Sequence, residues 1–461
     1  MRLWLAEKPS QARDIARVLG AQSKRDGYLE GASETVTWCF GHLLEQAPPE
    51  HYGEQYKRWS LESLPIVPAT WQSTVKASAR KQFAVIRRLL QQVREVVIAT
   101  DADREGEMIA REVLEACAWR GPVQRLWLSA LDEASVRKAL SNLWPGAKTH
   151  PLHLAATSRA RADWLVGMNL TRAYTVLGRA AGHDGVLSVG RVQTPTLRLV
   201  VDRDRAIAAF VPQPYWDVRV TLAHANGRFV ARWVPPAPVA DSEGRCISEA
   251  SARQVAQRVS GGAARVSDVE TTRVRQASPL PLDLGTLQQE ASRRWGMGAQ
   301  ATLQAAQSLY ETHKATTYPR TDCPYLPQSM RADVPQVLDA LAQSDPDLIP
   351  WVQRADVDAQ SRAWNDAKIT AHHAIIPTSA PCQIARMSES ERRIYDLVRR
   401  RYLAQFYAPH EFDRTEVQLR AGEGDQLRAT GKRIVVPGWR ELFGGDDDDA
   451  EVQALPALAE G

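Results

Sequence analysis

The sequence predicts a multidomain fold, α/β in its first part and α+β beyond. Three observations point there. The chain has 461 residues, more than one compact core holds, so about three or four domains are expected. Its first 150 residues or so alternate strand-like and helix-like stretches. The remainder separates into arginine-rich helical stretches and runs of strand period.

Taken in order, "RLWLAE" (2–7) reads as a buried strand. In "KPSQARDIARVLG", Ala12, Ile15, Ala16 and Leu19 recur at helical spacing, with Pro9 near the start and Gly20 at the stop. "VVIA" (96–99) is a second buried strand, and the helix after it is expected to bury Ile109, Val113, Ala116 and Cys117. "VQRLWLSA" (123–130) followed by "DEASVRKALSNL" repeats the alternation, which predicts a mainly parallel sheet over residues 1–150. Residues 151–210 read as helical, and "YWDVRVTL", "GRFVARWV" and "ARVSDVETTRVR" (to about 275) as strands of a twisted antiparallel sheet. Residues 284–314 and 388–405 are helical again, before "TEVQLRA", "DQLRATG" and "KRIVVPGW" return to strand. "GGDDDDA" (444–450) reads as a solvated linker.

Composition narrows the class. The formal charge of +4 includes four consecutive aspartates at 446–449, and without them it is +8, compatible with a nucleic-acid partner. The five cysteines are scattered without a C-x-x-C pair, which argues against zinc or a disulfide framework and for a reducing cytoplasm. No apolar run approaches the ~18 residues of a membrane span, so no membrane association is expected. No G-x-x-x-x-G-K-[ST] occurs, so a nucleotide-driven motor is unsupported.

Four constellations carry chemistry. The first is "ATDADREGE", where Asp101, Asp103 and Glu105 follow a strand. Sites in such sheets form at the carboxyl ends of strands, and Glu7 closes another strand at the same edge. Oxygen-only ligands suit magnesium; the alternative for Asp103 and Glu105 is an acidic helix start favoured by the helix dipole. Lys8, at a helix N-terminus, is a candidate phosphate contact. The second is "TTYPRTDCPYLP" (316–327), where Pro319 keeps Tyr318 out of the helical region, with Arg320 two residues on. A phenol of pKa near ~10 needs a cation or base to act as a nucleophile, and a tyrosine merely packed in a proline-rich turn is the alternative. The third is "TAHHAIIPT" (370–378), a poor zinc motif whose histidines either meet a phosphate or pack in a turn. The fourth joins Arg159 and Asp163, at i, i+4 in "SRARADWLVG", to Arg191 and Gln193 in "SVGRVQTPT", a glycine-led turn suited to close approach of a ligand.

"LAEKPS", "ATDADREGE", "SVGRVQTPTL", "YPRTDCPYLP" and "AHHAIIPT", in this order, resemble the type IA DNA topoisomerases, and bacterial topoisomerase III most of all. The resemblance runs discontinuously from residue 3 to about 440. It implies a Rossmann-like toprim domain at 1–150 holding an acidic Mg2+ site, within a toroidal core. It further implies a helical single-strand-binding domain at 151–213, a β-rich arch or hinge at 214–280 and 408–443, a helical gate at 281–407 and an acidic tail at 444–461. By motif position Tyr318 is the nucleophile that forms a 5′-phosphotyrosine. Lys8 and Arg320 are phosphate clamps, Glu7 is the acid or base at the leaving 3′-oxygen, and His372 is the catalytic-site histidine. Asp101, Asp103, Glu105 and Glu7 make the metal set. Arg159, Asp163, Ser188, Gly190, Arg191, Gln193 and Thr194 fall on motifs of the DNA groove.

The implied reaction is ATP-independent relaxation or decatenation of DNA by a monomer, cytoplasmic and associated with bacterial nucleoid or plasmid DNA. Relatives are expected to continue past "LPALAEG" with a segment that completes the strand-binding domain, which leaves that domain incomplete here. The alternative function is therefore a non-catalytic single-stranded DNA-binding fragment. A toprim-type nuclease or primase fits the acidic cluster but leaves Tyr318 unexplained.

Overall fold

The computed structural model describes residues 1–369, 372–444 and 453–461 and divides into two compact units. The aspartate run at 446–449 lies outside the described residues. Unit one comprises Met1–Ala208, Leu282–Asp345 and Asn365–Val398. Its sheet has seven strands with the Arg2–Ala6 strand at the centre, paired in parallel with Glu34–Trp38 on one side and Glu95–Ala99 on the other. Residues Leu3 to Ala6 are buried, as a strand covered on both faces must be. Val123–Arg125 adds a further parallel strand, and Trp144–Pro145 closes that edge antiparallel.

The Pro9–Leu19 helix starts on its proline and stops at Gly20, whose φ of 73° places it in the left-handed region that a side chain disfavours. Its Ala12, Ile15 and Ala16 pack on the sheet with Trp4, Val36 and Val97. The Arg104–Ala116 helix covers the other face through Ile109, Ala110, Val113 and Leu114. Ala116, expected on that face, is exposed, and Cys117 is only half-buried; the helix ends at Ala116 and the chain leaves the helical register there.

The strand expected at 123–130 is shorter, Val123–Arg125. Its neighbour ends at Ala99 and the chain then turns into a helix, so little ladder remains past Leu126. Residues 126–131 instead form a connection that lies against the tyrosine loop. The helix Gly146–Ala180 runs 35 residues, and Gln193–Ala208, which follows the "SVGRVQ" turn, buries none of its residues.

Unit two comprises Ala209–Pro281, Pro346–Trp364 and Arg399–Gly461. Its five strands run Arg219–His224, Gly227–Trp233, Asp425–Val436, His410–Ala421 and Ala264–Gln276 across an antiparallel sheet. "DQLRATG" and "KRIVV" are one continuous strand. A helix, Glu249–Val259, interrupts the strands expected between 215 and 275; Ser248 caps it, and Ala252, Val255 and Val259 pack on the sheet. No helix among the described residues is long and apolar enough to cross a membrane.

Candidate active site

Parallel pairing sets Ala6 level with Ala99, so the two strands deliver Glu7 and Asp101 to one sheet edge. The Asp101 backbone N–H donates to Glu7 Oε2 at 3.1 Å, and Gln11 Nε2 donates to Asp101 Oδ1 at 3.0 Å. Burial, and then the Asp101 charge, push Glu7 up from 4.5 to about 7. Burial also raises Asp101, although the Lys8 ammonium opposes it. Lys8 Nζ lies 3.5 Å from Asp101 Oδ2 and 2.5 Å from Glu311 Oε1. Burial alone would lower the lysine, but Asp101 and Glu311 outweigh it and raise its pKa.

Asp103 caps the next helix, accepting from the Gly106 N–H at 2.7 Å. Gly106 is required there: a Cβ on it would sit 2.2 Å from the Asp101 carbonyl oxygen. The second Asp103 oxygen, Oδ2, accepts from the Tyr318 hydroxyl at 2.8 Å. Tyr318 is 3% exposed, and burial followed by the charges of Asp101 and Asp103 hold its phenol far above the usual range. Its loop is clamped from two sides. The Tyr318 N–H donates to the Ser129 carbonyl at 2.9 Å, and Thr317 exchanges backbone and hydroxyl bonds with Ala374 and Ile376 of the "AHHAIIPT" stretch. That pairing brings His372 onto Tyr318, with ring centroids 4.8 Å apart. His372 is buried, which drives its pKa down to about 4 and leaves the ring neutral at pH 7.

The structure thus gathers Glu7, Lys8, Asp101, Asp103, Tyr318 and His372. Two residues expected beside them make no hydrogen bond or ion pair with this set among the described residues. Glu105 is turned to His42, whose Nε2 lies 2.7 Å from its carboxylate, and its side chain is 63% exposed. A two-residue step along the helix from Asp103, the N-cap, separates their directions. Arg320 is exposed and has no hydrogen-bond or ion-pair partner among the described residues. Also among the described residues, no three His, Cys, Asp or Glu side chains form a ready-made metal cage.

The groove candidates form a separate surface cluster where the turn at 188–191 and the start of the Gln193–Ala208 helix meet the long helix. Arg191 Nε bonds Asp163 Oδ1 at 2.7 Å, while Arg159 stands 3.9 Å from the same carboxylate. Gln193 Nε2 donates to Ser188 Oγ at 2.8 Å, and the Gly190 N–H donates to Thr194 Oγ1 at 3.0 Å.

Sequence reasoning missed the support beneath the carboxylates. Arg125 is fully buried and donates to the carbonyls of Ile98, Thr100, Asp101 and Leu126, while its Nε lies 3.0 Å from Glu107. A charged residue inside the apolar run "VQRLWL" was the available signal, since an arginine is fully buried only when paired. Gln11 and Glu311 carried no such signal, because their contacts with Asp101 and Lys8 span 90 and 303 positions.

Comparisons with known proteins bear on this geometry. The family model described as Toprim domain matches residues 2–131, and the one described as DNA topoisomerase matches residues 147–461. DNA topoisomerase 3 of Vibrio cholerae is 41% identical over 474 residues, covering 100% of this chain and 73% of that protein. DNA topoisomerase 3 of Salmonella typhimurium is 42% identical, covering 100% of this chain and 72% of that protein. The full-length topoisomerase I of Thermotoga maritima shares the fold, with a TM-score of 0.73 at 22% identity over 100% of this chain and 70% of that one. Identity at this level over the whole chain, with a Toprim domain ahead of the topoisomerase region, makes this protein a member of the type IA DNA topoisomerase family.

Proposed function

We propose that this chain cleaves one strand of DNA through Tyr318, passes a strand through the break and reseals it, relaxing negative supercoils or separating linked molecules without ATP. The observation that carries the reading is the Tyr318 hydroxyl bonded to Asp103 over the Glu7–Asp101 edge and under the His372 ring.

In the cleavage step the Tyr318 oxygen attacks the phosphorus of a phosphodiester, and its proton passes to the Asp103 carboxylate that already accepts it. The bond to the 3′-oxygen breaks, leaving a 5′-phosphotyrosine and a 3′-hydroxyl. Glu7 suits the supply of the leaving group's proton, because at about 7 it is half protonated near neutral pH. Resealing reverses each transfer, and the retained ester bond accounts for the independence from ATP. Lys8, already held between Asp101 and Glu311, and the exposed Arg320 are the cations for the phosphate oxygens. The neutral His372 can hydrogen-bond a phosphate through its buried Nε2, which has no partner.

The Toprim match is consistent with use of a divalent cation, and we assign it as Mg2+. The donors fit: all are hard oxygens, and burial, together with repulsion between the carboxylates, raises Glu7 and Asp101, a strain that a cation would relieve. Glu7, Asp101 and Asp103 would hold the ion, using one or two carboxylates at a time and leaving water on the rest of its sphere. When bound it would neutralise their repulsion and the charge on the phosphate. Single-stranded DNA is the substrate, lying along the Arg159–Arg191 cluster, with affinity that falls with salt.

Incubation with a single-stranded oligonucleotide and Mg2+, followed by mass spectrometry, is expected to place the oligonucleotide on Tyr318. An adduct that persists in Tyr318→Phe overturns the assignment. Salt-sensitive binding with no adduct and no plasmid relaxation would leave a strand-binding protein only.

A further inference from the structure

An aromatic row leads away from the site, and its role is not explained by the reaction above. His372 makes no hydrogen bond among the described residues, and its Nε2 is buried without a partner. An imidazole in that condition has nothing polar to fix its rotation. What touches it is aromatic on two sides: Tyr318 at 4.8 Å between centroids, and Trp127 at 6.1 Å with an interplanar angle of 23°. Trp127 is itself stacked on Trp144 at 4.9 Å and 14°, with the Arg125 guanidinium carbon 5.2 Å from its ring. The arrangement follows from the sheet. The edge strand pairs Trp144 with Arg125, and Trp127 lies two residues beyond Arg125, so the two indoles are diagonal neighbours. Trp127 is half-buried, with His372, Trp144 and Arg125 all packed against its indole.

We infer that Trp127, backed by Trp144, is a positioning residue that holds the His372 ring against Tyr318 by stacking. This rests on the reading of His372 as a group that meets the phosphate at Tyr318. Trp127 touches neither the reacting oxygen nor the carboxylates; it acts through the histidine. Losing the stack frees the ring to turn its Nε2 away while leaving the fold and the DNA groove in place.

The test is single-turnover cleavage of a single-stranded oligonucleotide with Mg2+, alongside its Kd, in the full chain. Trp127→Leu is expected to slow cleavage roughly 3- to 10-fold, the scale of one aromatic stack, with Kd unchanged within about 2-fold. Trp127→Phe, which keeps a ring, is expected to recover most of the rate. In a His372→Ala background, Trp127→Leu should slow cleavage by less than about 2-fold more, because the two substitutions remove one interaction. Should Trp127→Leu fold poorly, Trp144→Leu is expected to give the same His372-dependent loss. A slowed His372→Ala beside an unchanged Trp127→Leu overturns the positioning role alone, as does an equal Trp127→Leu effect in both backgrounds. An unchanged His372→Ala overturns the reading of the histidine, and the positioning role with it.

Discussion

Replacing Glu7 by glutamine keeps the shape of the side chain and removes its charge, which isolates the electrostatic strain at the sheet edge. Glu7 sits at about 7 rather than 4.5, first because it is buried and second because Asp101 faces it. The folded state therefore holds this proton more tightly than the unfolded chain does. Below about pH 4.5 both states are protonated and the site costs nothing. As pH rises from there the unfolded chain ionises first, and the penalty grows until it is complete above pH 7. At ~1.36 kcal/mol per pH unit, the interval from 4.5 to about 7 amounts to about 3 kcal/mol, part of it shared with Asp101.

Glu7→Gln should thus stabilise the metal-free chain at pH 8 by about 2 kcal/mol, a rise in melting temperature of roughly 4 °C. At pH 4.5 the gain should shrink to a few tenths of a kcal/mol, about the half-ionised limit of the unfolded carboxyl. Millimolar Mg2+ at pH 8 should stabilise the parent chain more than the variant, since a cation that binds only the folded state raises its stability by mass action. Thermal melting at the two pH values, with and without Mg2+, reads all of this. An equal difference between parent and variant at both pH values would refute the reasoning, because a packing effect does not titrate.

Three further substitutions probe the geometry. Gly106→Ala places a Cβ against the Asp101 carbonyl and should cost about 1–3 kcal/mol while also lowering DNA cleavage; melting and cleavage that both match the parent would contradict the close approach. Arg125→Met leaves Glu107 buried with Arg111 as its remaining ion-pair partner and should cost about 3–5 kcal/mol in denaturant unfolding, and adding Glu107→Leu should restore part of it; no restoration would mean the ion pair is not the cause. Arg320→Ala, at an exposed position, should change stability by less than about 0.5 kcal/mol yet slow oligonucleotide cleavage about 10-fold or more; an unaltered rate would remove Arg320 from the phosphate clamp.

Much of the first unit was legible because its signals are local. The Arg2–Ala6 and Glu95–Ala99 strands are apolar runs, the Pro9–Leu19 helix has both its punctuation marks, and the crevice rule then put Glu7 and Asp101 on one edge. The Glu249–Val259 helix was also legible from Ser248 and its periodic apolar residues, and was overlooked among flanking strands. The length of the strand at 123–125 was not legible, since a strand extends only as far as its neighbour offers a ladder.

The linear chain determined which chemical groups exist and the order in which they arrive: carboxylates at strand ends, a tyrosine on a proline-stiffened loop, a pair of histidines after it, and the family those motifs mark. Tertiary structure alone decided their company. It turned Glu105 to His42, sank Arg125 under Asp101, set Tyr318 against Asp103 and wedged Trp127 behind His372. The reason is that identity and local spacing are written along the backbone, whereas charge, burial and stacking depend on distances between residues 24 to more than 200 positions apart, which only folding brings within a few ångströms.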